Sequence, residues 1–414
     1  MTTIYTCIGQ CGNQLGHHFF NTVNNTSDEQ HQRSPFVCQD NKIRSLNIDS
    51  ENKVLKRLIK DSKKSLLRED NIVCGRKGRG ANWAFGYHGL RNDEENLLDS
   101  CLDAFRKEVE RCDCYTGTVM MHSLCGGTGS GFGSHLCEAI RDNYPMAYIQ
   151  SVVIAPFQTG ESPLQNYNAT LCMAWLQRYS DSIFMYHNEE ILHRLSGLNV
   201  SKVVREEAKV TIKDINEHIA ESLAGLYKPV SSGKSTSHGN EPWEILQSVC
   251  PMPSHKFAHV IHTSQTKSSW ETLTGGLLRS FKRYDEDGLT FSSLANLAVA
   301  RGDKMDTFSK HSKSIEKKIK AAYNCVRWNP YPVDFWIGKD SINVAKSGTA
   351  SLTICANTSR IVEYAGNVLS KTRNMLEAGA YLHLYLNHGC EKGDFIEAYD
   401  TMQCVIDNYK DAVK

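Results

Sequence analysis

Nine residues, Ser123-Leu124-Cys125-Gly126-Gly127-Thr128-Gly129-Ser130-Gly131, sit between an apolar β-type run, Thr118 to His122, and a helical pattern, Phe132 to Ile140. Glycines at such a junction let the backbone turn tightly and aim successive N–H groups at one anion, and a nest of this kind at a helix N-terminus suits phosphate. A glycine-rich connector without a ligand is the plain alternative. No lysine follows the loop, so it is not a Walker loop. The single Gly-Lys-Ser of the chain, at 233–235, has Lys228 where that motif needs its first glycine, and it lies in a polar stretch, 230–240, that reads as a solvated linker.

The same logic recurs at Gly9-Gln10-Cys11-Gly12-Asn13-Gln14, where the apolar run Thr3 to Ile8 stops and the helical pattern Asn13 to Phe20 follows. Ligands of open parallel sheets collect at such strand ends. With Gly78-Arg79-Gly80-Ala81-Asn82-Trp83 there are three glycine-bearing turns within one stretch of chain. Further strands at Tyr148 to Ile154 and Ile183 to Tyr186 continue the strand–helix alternation of a parallel sheet covered on both faces. The expected fold class is therefore α/β, with a doubly wound nucleotide-binding domain over 1–187. Beyond it, Ile212, Ile215, Ile219, Leu223 and Leu226 recur at helical spacing and predict one buried stripe on a central core helix. Strands at Phe257 to Ile261, Leu294 to Ala300, Val333 to Ile337 and Leu352 to Ala356 predict a second α/β domain, the two together spanning 188–357. Helices at Ile361 to Leu376 and Phe395 to Tyr409 predict a C-terminal helical hairpin, 358–414.

Composition removes several classes of function. Of 414 residues, 40% are hydrophobic and 22% charged, which describes an ordinary globular chain, and a formal net charge of +1 supplies no field to draw in nucleic acid. No apolar run approaches the roughly 20 residues needed to span a bilayer, so no membrane insertion is expected. The first residues read as strand and turn with no signal peptide, so the fifteen cysteines are expected as thiols. Cys112-Asp113-Cys114 lacks a second pair at zinc-ligand distance. The basic stretches Lys53 to Lys60 and Lys310 to Lys320 read as solvated helix faces, with an acidic partner or a lateral contact as the alternative.

The first and second glycine turns, Gly-Gln-Cys-Gly-Asn-Gln and Gly-Gly-Thr-Gly-Ser-Gly, resemble the signatures of the tubulin family. The likeness continues through Gln165-Asn166-Tyr167-Asn168-Ala169, Ala298-Val299-Ala300-Arg301-Gly302 and Ala380 to Ala398. Arg106 to Asp113 and Gln165 to Asn168 are similar to the delta branch of that family more than to its alpha, beta or gamma branches. The acidic tail of the alpha and beta branches has no counterpart here. The resemblance implies a GTP-binding cytoskeletal protein of centrioles, basal bodies and ciliary microtubules, with other tubulins as partners and GTP/GDP and Mg2+ as cofactors. It places Gln10 and Cys11 along the nucleotide. Gly80, Asn82, Ser123, Gly126, Gly127, Thr128 and Gly129 fall around the phosphates, and Gln165 near the ribose. Asn188 and Asn216 fall on the guanine edge, a role that needs both a donor and an acceptor; a helix cap is the alternative for Asn188. Asp49 and Glu51 match the acidic pair near magnesium, where carboxylates suit a hard cation that keeps several waters. Unaided, that pair reads as a solvated turn on a loop.

Four positions depart from the family pattern. Ala81 replaces an asparagine beside the phosphates, Cys125 the first glycine of the loop and Gln165 a glutamate near the ribose. Ile212 replaces an aromatic that stacks on the base, and because such stacking contributes roughly 1–3 kcal/mol, affinity is expected to fall about tenfold. Glu244 matches the glutamate that serves a neighbouring subunit's nucleotide, so hydrolysis in trans is one reading; a favourable charge at a helix start is the other. Two functions therefore stand side by side: a GTP-controlled lattice subunit, and a nucleotide-stabilised scaffold or capping subunit that never hydrolyses. A Rossmann oxidoreductase is disfavoured, since Gly9-Gln10-Cys11-Gly12 does not give G-x-G-x-x-G.

Overall fold

The computed structural model describes residues 2–24, 34–61, 66–89, 96–160, 162–200, 210–230, 239, 241–266, 268–302, 305–342 and 349–414. The Gly-Lys-Ser stretch at 233–235 lies outside them. In chain order the elements are β1 (Thr2–Ile8), α1 (Gly9–Asn24), β2 (Ser45–Asp49), α2 (Asn52–Asp61), β3 (Ile72–Cys74), α3 (Trp83–His88), α4 (Leu97–Glu110), β4 (Tyr115–Ser123), α5 (Gly133–Asn143), β5 (Tyr148–Ala155), α6 (Gln165–Tyr179) and β6 (Ser182–His187). There follow α7 (Asn188–Val200), α8 (Ile212–Tyr227), α9 (Pro242–Val249), β7 (Phe257–Thr266), α10 (Trp270–Arg279), β8 (Ser293–Arg301), α11 (Met305–Ala322), β9 (Val333–Gly338), β10 (Thr349–Thr358), α12 (Arg360–Glu377), α13 (Leu382–Leu386) and α14 (Lys392–Ala412).

The chain forms two compact units, the first made of Met1–His17, Arg33–His187 and Tyr364–Asp407. Its strands run in the order β3-β2-β1-β4-β5-β6, and each neighbouring pair is parallel. The order reverses between β1 and β4, the switch point at which ligands of doubly wound sheets bind. β5 is buried along all eight of its residues, as a parallel strand covered on both faces must be. Helix α6 is buried without a break from Tyr167 to Leu176, because the C-terminal segments pack upon it. Thr170 pairs with Thr372 of α12 at 2.9 Å, Arg178 reaches Glu397 of α14 at 2.9 Å, and Tyr167 packs on Phe395 with tilted rings 4.8 Å apart.

The second unit comprises His18–Gln32, Asn188–Glu363 and Asn408–Lys414. Its strands run β7-β10-β8-β9, with β10 antiparallel to both neighbours and β9 parallel to β8. One face is closed by α10 and α11 through Trp270, Leu273, Leu277, Phe308, Ile315 and Ile319. Helix α8 begins with a reciprocal cap between Thr211 and Asp214. Ile215, Ile219, Leu223 and Leu226 are all buried, as the stripe predicts. Ile212 is not: it is 60% exposed, because it occupies the first helical position, above the packed turns. The helix ends against the buried guanidinium of Arg301, which donates from Nε to Gly225 O (3.0 Å), from Nη1 to Pro229 O (3.1 Å) and from Nη2 to Lys228 O. A cation there satisfies carbonyls that a helix end leaves without partners.

Two further expectations need correction. The reading of Asp49 and Glu51 as a loop pair fails for Asp49, which is the last residue of β2 and buried; a five-residue strand with polar Asn47 inside it carries too little alternation to be seen in sequence. The first helix starts at Gly9 with no intervening turn, four residues before the apolar pattern that announces it.

Candidate nucleotide-binding site

Strand β1 passes directly into α1 because Gly9 takes φ +69°, a conformation that costs other residues about 1–2 kcal/mol. A Cβ on Gly9 would stand 3.1 Å from Gly129 N, and one on Gly12 would stand 2.0 Å from Met121 O. The first turn is thus pressed main chain to main chain against the end of β4 and the loop after it. Asn13, fully buried, fixes the other side: its Nδ2 donates to Gly9 O (2.9 Å) and Ile48 O (2.8 Å), and its Oδ1 accepts from Asn47 Nδ2 (3.1 Å). Gln10 is left exposed on the first helical turn and Cys11 half-buried beside it. Burial pushes the Cys11 thiol up to about 12, so it stays protonated.

The central loop leads into a π-type turn over Gly127–Phe132, where Gly133 N donates back to Thr128 O as well as to Ser130 O. Widened turns of this kind recur at functional sites, and the first N–H groups of the helix have no acceptor within it. Ser123 Oγ accepts from Cys125 N (3.1 Å), and Thr128 Oγ1 pairs at 2.6 Å with Ser50, just past β2. The third turn closes on the second: Gly127 N donates to Gly80 O at 2.9 Å, and a Cβ on Gly127 would lie 2.3 Å from Arg79 O. Gly80, at φ +55°, faces open space, with nothing within 4 Å of where a Cβ would be.

Asn168 holds these turns together. Within a helix otherwise apolar at this point, its Nδ2 donates to Ala81 O (2.8 Å) and Cys125 O (3.1 Å), while its Oδ1 accepts from Trp83 N (2.8 Å) and from the Tyr385 hydroxyl (2.6 Å). Neither Asn168 nor Ser50 stands out as a site residue in sequence. Asn168 is the second residue of the ten-residue buried run Tyr167–Leu176, and an amide among its mostly apolar neighbours is the available signal.

The remaining residues take the following places. Asn82 caps α3, accepting from Phe85 N at 3.2 Å and donating to Leu384 O at 3.0 Å. Gln165 opens α6 half-buried; its backbone O accepts from Cys125 Sγ at 3.6 Å, which ties the departing cysteine to the helix start. Asp49 is buried, and desolvation, with the Glu51 carboxylate adding to it, raises its carboxyl to about 6. The exposed Glu51 turns its Oε1 toward Gly78. In the second unit, Asn188 is the first residue of α7, and Asn216 is buried on α8. Glu244 is buried near the start of α9, where its Oε2 accepts from Gly239 N.

The arrangement brings three glycine-bearing segments together at the switch point of a parallel sheet. Residues 2–196 match the family described as Tubulin/FtsZ family, GTPase domain. The chain therefore contains a GTPase domain of the Tubulin/FtsZ family. It is similar to the Tubulin delta chains of Macaca fascicularis and Homo sapiens, each 26% identical over 99% of this chain and 99% of the relative. It is also similar to the Tubulin beta chain of Pneumocystis carinii, 27% identical over 97% of this chain and 94% of that one. A GTPase domain of this family implies binding of GTP/GDP. No helix among the described residues is long and apolar enough to cross a membrane.

Proposed function

We propose that this chain is a delta-tubulin-like structural protein that binds GTP at the β1–β4 switch point and serves centriolar, basal-body or ciliary microtubules, with other tubulins as its partners. The observation that carries the reading is the close packing of three glycine-bearing segments at the β1–β4 switch point, Gly9 on Gly129 and Gly127 on Gly80. In this reading Gln10 and Cys11 lie along the nucleotide, and Gly80, Ser123 and Gly126 to Gly129 hold its phosphates. Asn82 and Asn168 fix the turns, Gln165 borders the ribose, and Asn188 and Asn216 read the base. Asp49 and Glu51 fit the magnesium-side role as oxygen donors. Bound Mg2+ would neutralise charge on the terminal phosphates.

The deciding experiment is to denature natively purified protein and identify what it releases. Guanine nucleotide in near-stoichiometric amount is expected; a dinucleotide, or nothing after purification in saturating magnesium and GTP, would overturn the reading. Imaging of the tagged chain should place it at centrioles or basal bodies, and a diffuse signal in ciliated cells would remove that part.

A second reading, a scaffold or capping subunit that does not hydrolyse, is favoured by one contact. The Glu244 carboxylate is committed to Gly239 N–H of its own chain, so serving a neighbour's nucleotide requires that bond to open first. GTP turnover that rises steeply with protein concentration and is lost in Glu244→Ala would select the assembling subunit. Turnover indistinguishable from buffer at every concentration would select the scaffold.

A further inference from the structure

Between the end of α4 and the start of β4 the chain carries two free thiols two residues apart, Cys112 and Cys114, with Asp113 and Cys114 in a bend. Two residues apart along a bent chain, their Cα atoms fall in the roughly 4.4–6.8 Å that a disulfide spans. The two sulfurs have different surroundings. Cys114 is exposed, whereas Cys112 is half-buried. Cys112 Sγ donates to Glu108 O at 3.2 Å, closing one of the last carbonyls of α4, which a helix end leaves without an intrahelical partner. The same sulfur accepts from Arg44 Nη1 at 3.6 Å, and among the described residues it is the sole acceptor of that guanidinium. The neighbouring carboxylate, Glu108, is engaged by other groups: Arg111 Nη1 at 3.0 Å, Arg68 Nε at 3.4 Å, Asn71 Nδ2 at 2.9 Å and Cys38 Sγ at 3.2 Å. Burial raises the Cys112 thiol, the Arg44 guanidinium opposes that rise, and the Glu108 carboxylate adds to it, so Cys112 rests protonated.

We propose that Cys112 and Cys114 form an oxidisable dithiol, in which exposed Cys114 meets a hydroperoxide and Cys112, beside Arg44, closes the disulfide. The Cys114 thiolate attacks one peroxide oxygen, the O–O bond breaks, the other oxygen leaves as water or an alcohol, and Cys114 becomes a sulfenic acid. Cys112 then attacks that sulfur and gives up its proton, and the sulfenic oxygen departs as water. Two thiols thus lose two electrons while one peroxide gains them. Arg44 is a positioning residue: a cation against the sulfur favours its thiolate form at the moment of attack. In the product Cys112 has no S–H to donate, so the bond to Glu108 O is lost and the last turn of α4 loosens. The pair stands before the first residue of β4, and the phosphate loop follows its last, so the nucleotide reading does not enter.

The test is oxidation of the full chain with a small molar excess of hydrogen peroxide, followed by alkylation of the remaining thiols and fragment-ion mass spectrometry. The expected product is a single chain lighter by two hydrogens, with Cys112 and Cys114 alone escaping alkylation and dithiothreitol restoring both. Cys114→Ser should abolish that product, and Cys112→Ser should halt at a sulfenic acid on Cys114 that dimedone traps. Arg44→Gln is expected to slow closure by at least about fivefold while leaving dimedone trapping in Cys112→Ser unchanged, a separation that a merely structural role would not give. Amide exchange over the last turn of α4 should rise on oxidation of the parent and stay flat in Cys114→Ser; no rise would overturn the coupling to the helix. Cys112 and Cys114 still open to alkylation after other cysteines have oxidised, a bridge from either to a different cysteine or to a second chain, or hydrogen loss that persists in Cys114→Ser would overturn the proposal. Closure as fast in Arg44→Gln as in the parent would overturn the role of Arg44. Cys114 is exposed, so Cys114→Ser decides the question if Arg44→Gln does not fold.

Discussion

At the scale of single residues, the cradle depends on atoms that no ligand is required to touch. Asn168 spends all four of its hydrogen bonds on Ala81, Cys125, Trp83 and Tyr385, three of them on the main chain of two different turns. Replacing it with alanine leaves the buried Trp83 N–H and the Tyr385 hydroxyl short of a partner and frees two part-buried carbonyls, which is expected to cost about 1–3 kcal/mol. Urea denaturation of Asn168→Ala should show that loss, and guanine-nucleotide affinity should fall with it; a variant as stable as the parent would mean the turns hold themselves. Two glycines of the same turns should behave oppositely. Gly127→Ala drives a methyl to 2.3 Å from a carbonyl oxygen and should abolish nucleotide binding, whereas Gly80→Ala meets nothing and pays only for its positive φ, about 1–2 kcal/mol. Equal effects in a fluorescent-nucleotide titration would contradict that difference.

At the scale of elements, helix ends carry much of the polar organisation. The C-terminus of α8 is closed by Arg301 through three carbonyls in a place where burial draws the guanidinium down to about 10. Lysine cannot reproduce a three-way planar fork, so Arg301→Lys is expected to destabilise by roughly 2–4 kcal/mol although the charge is kept. Thermal melts that leave the parent and Arg301→Lys superimposed would refute this. The sequence motif Ala298 to Gly302 marks this arginine as a family feature without saying what it does. Strands and helices with strong apolar runs, β1, β4, β5, β6 and the stripe of α8, are legible in sequence, because their periodicity is set by local spacing. Short or polar elements, β2, β3 and α3, are not: their residues become strand or helix only when paired with neighbours far along the chain.

At the scale of the whole molecule, the buried His122, His259 and His262 and the half-buried His218 weaken the fold as pH falls. Burial lowers His122, His218 and His259 to about 4 and His262 still further, while the unfolded chain titrates near its ordinary 6.5. Below 6.5 the unfolded state binds more protons than the folded one, so this contribution is complete above 6.5 and is lost as pH falls toward 4. The expected loss at pH 5 is about 1–2 kcal/mol for each histidine. Asp49, raised to about 6, acts in the opposite sense, its contribution disappearing as pH rises past 6, and offsets only part of the loss. The urea midpoint should therefore drop between pH 7 and pH 5, and a flat profile would show that these imidazoles are solvated. What the sequence alone determined was the alternation of elements, the three glycine turns and the family likeness, because each is written in residues adjacent along the chain. What only the tertiary structure decided was which turns touch, that Asp49 ends a buried strand, that Ile212 is exposed and that Asn168 is a joint. Those facts depend on contacts such as Asn168 to Ala81, 87 residues apart, and Asn168 to Tyr385, 217 apart, which no local pattern encodes.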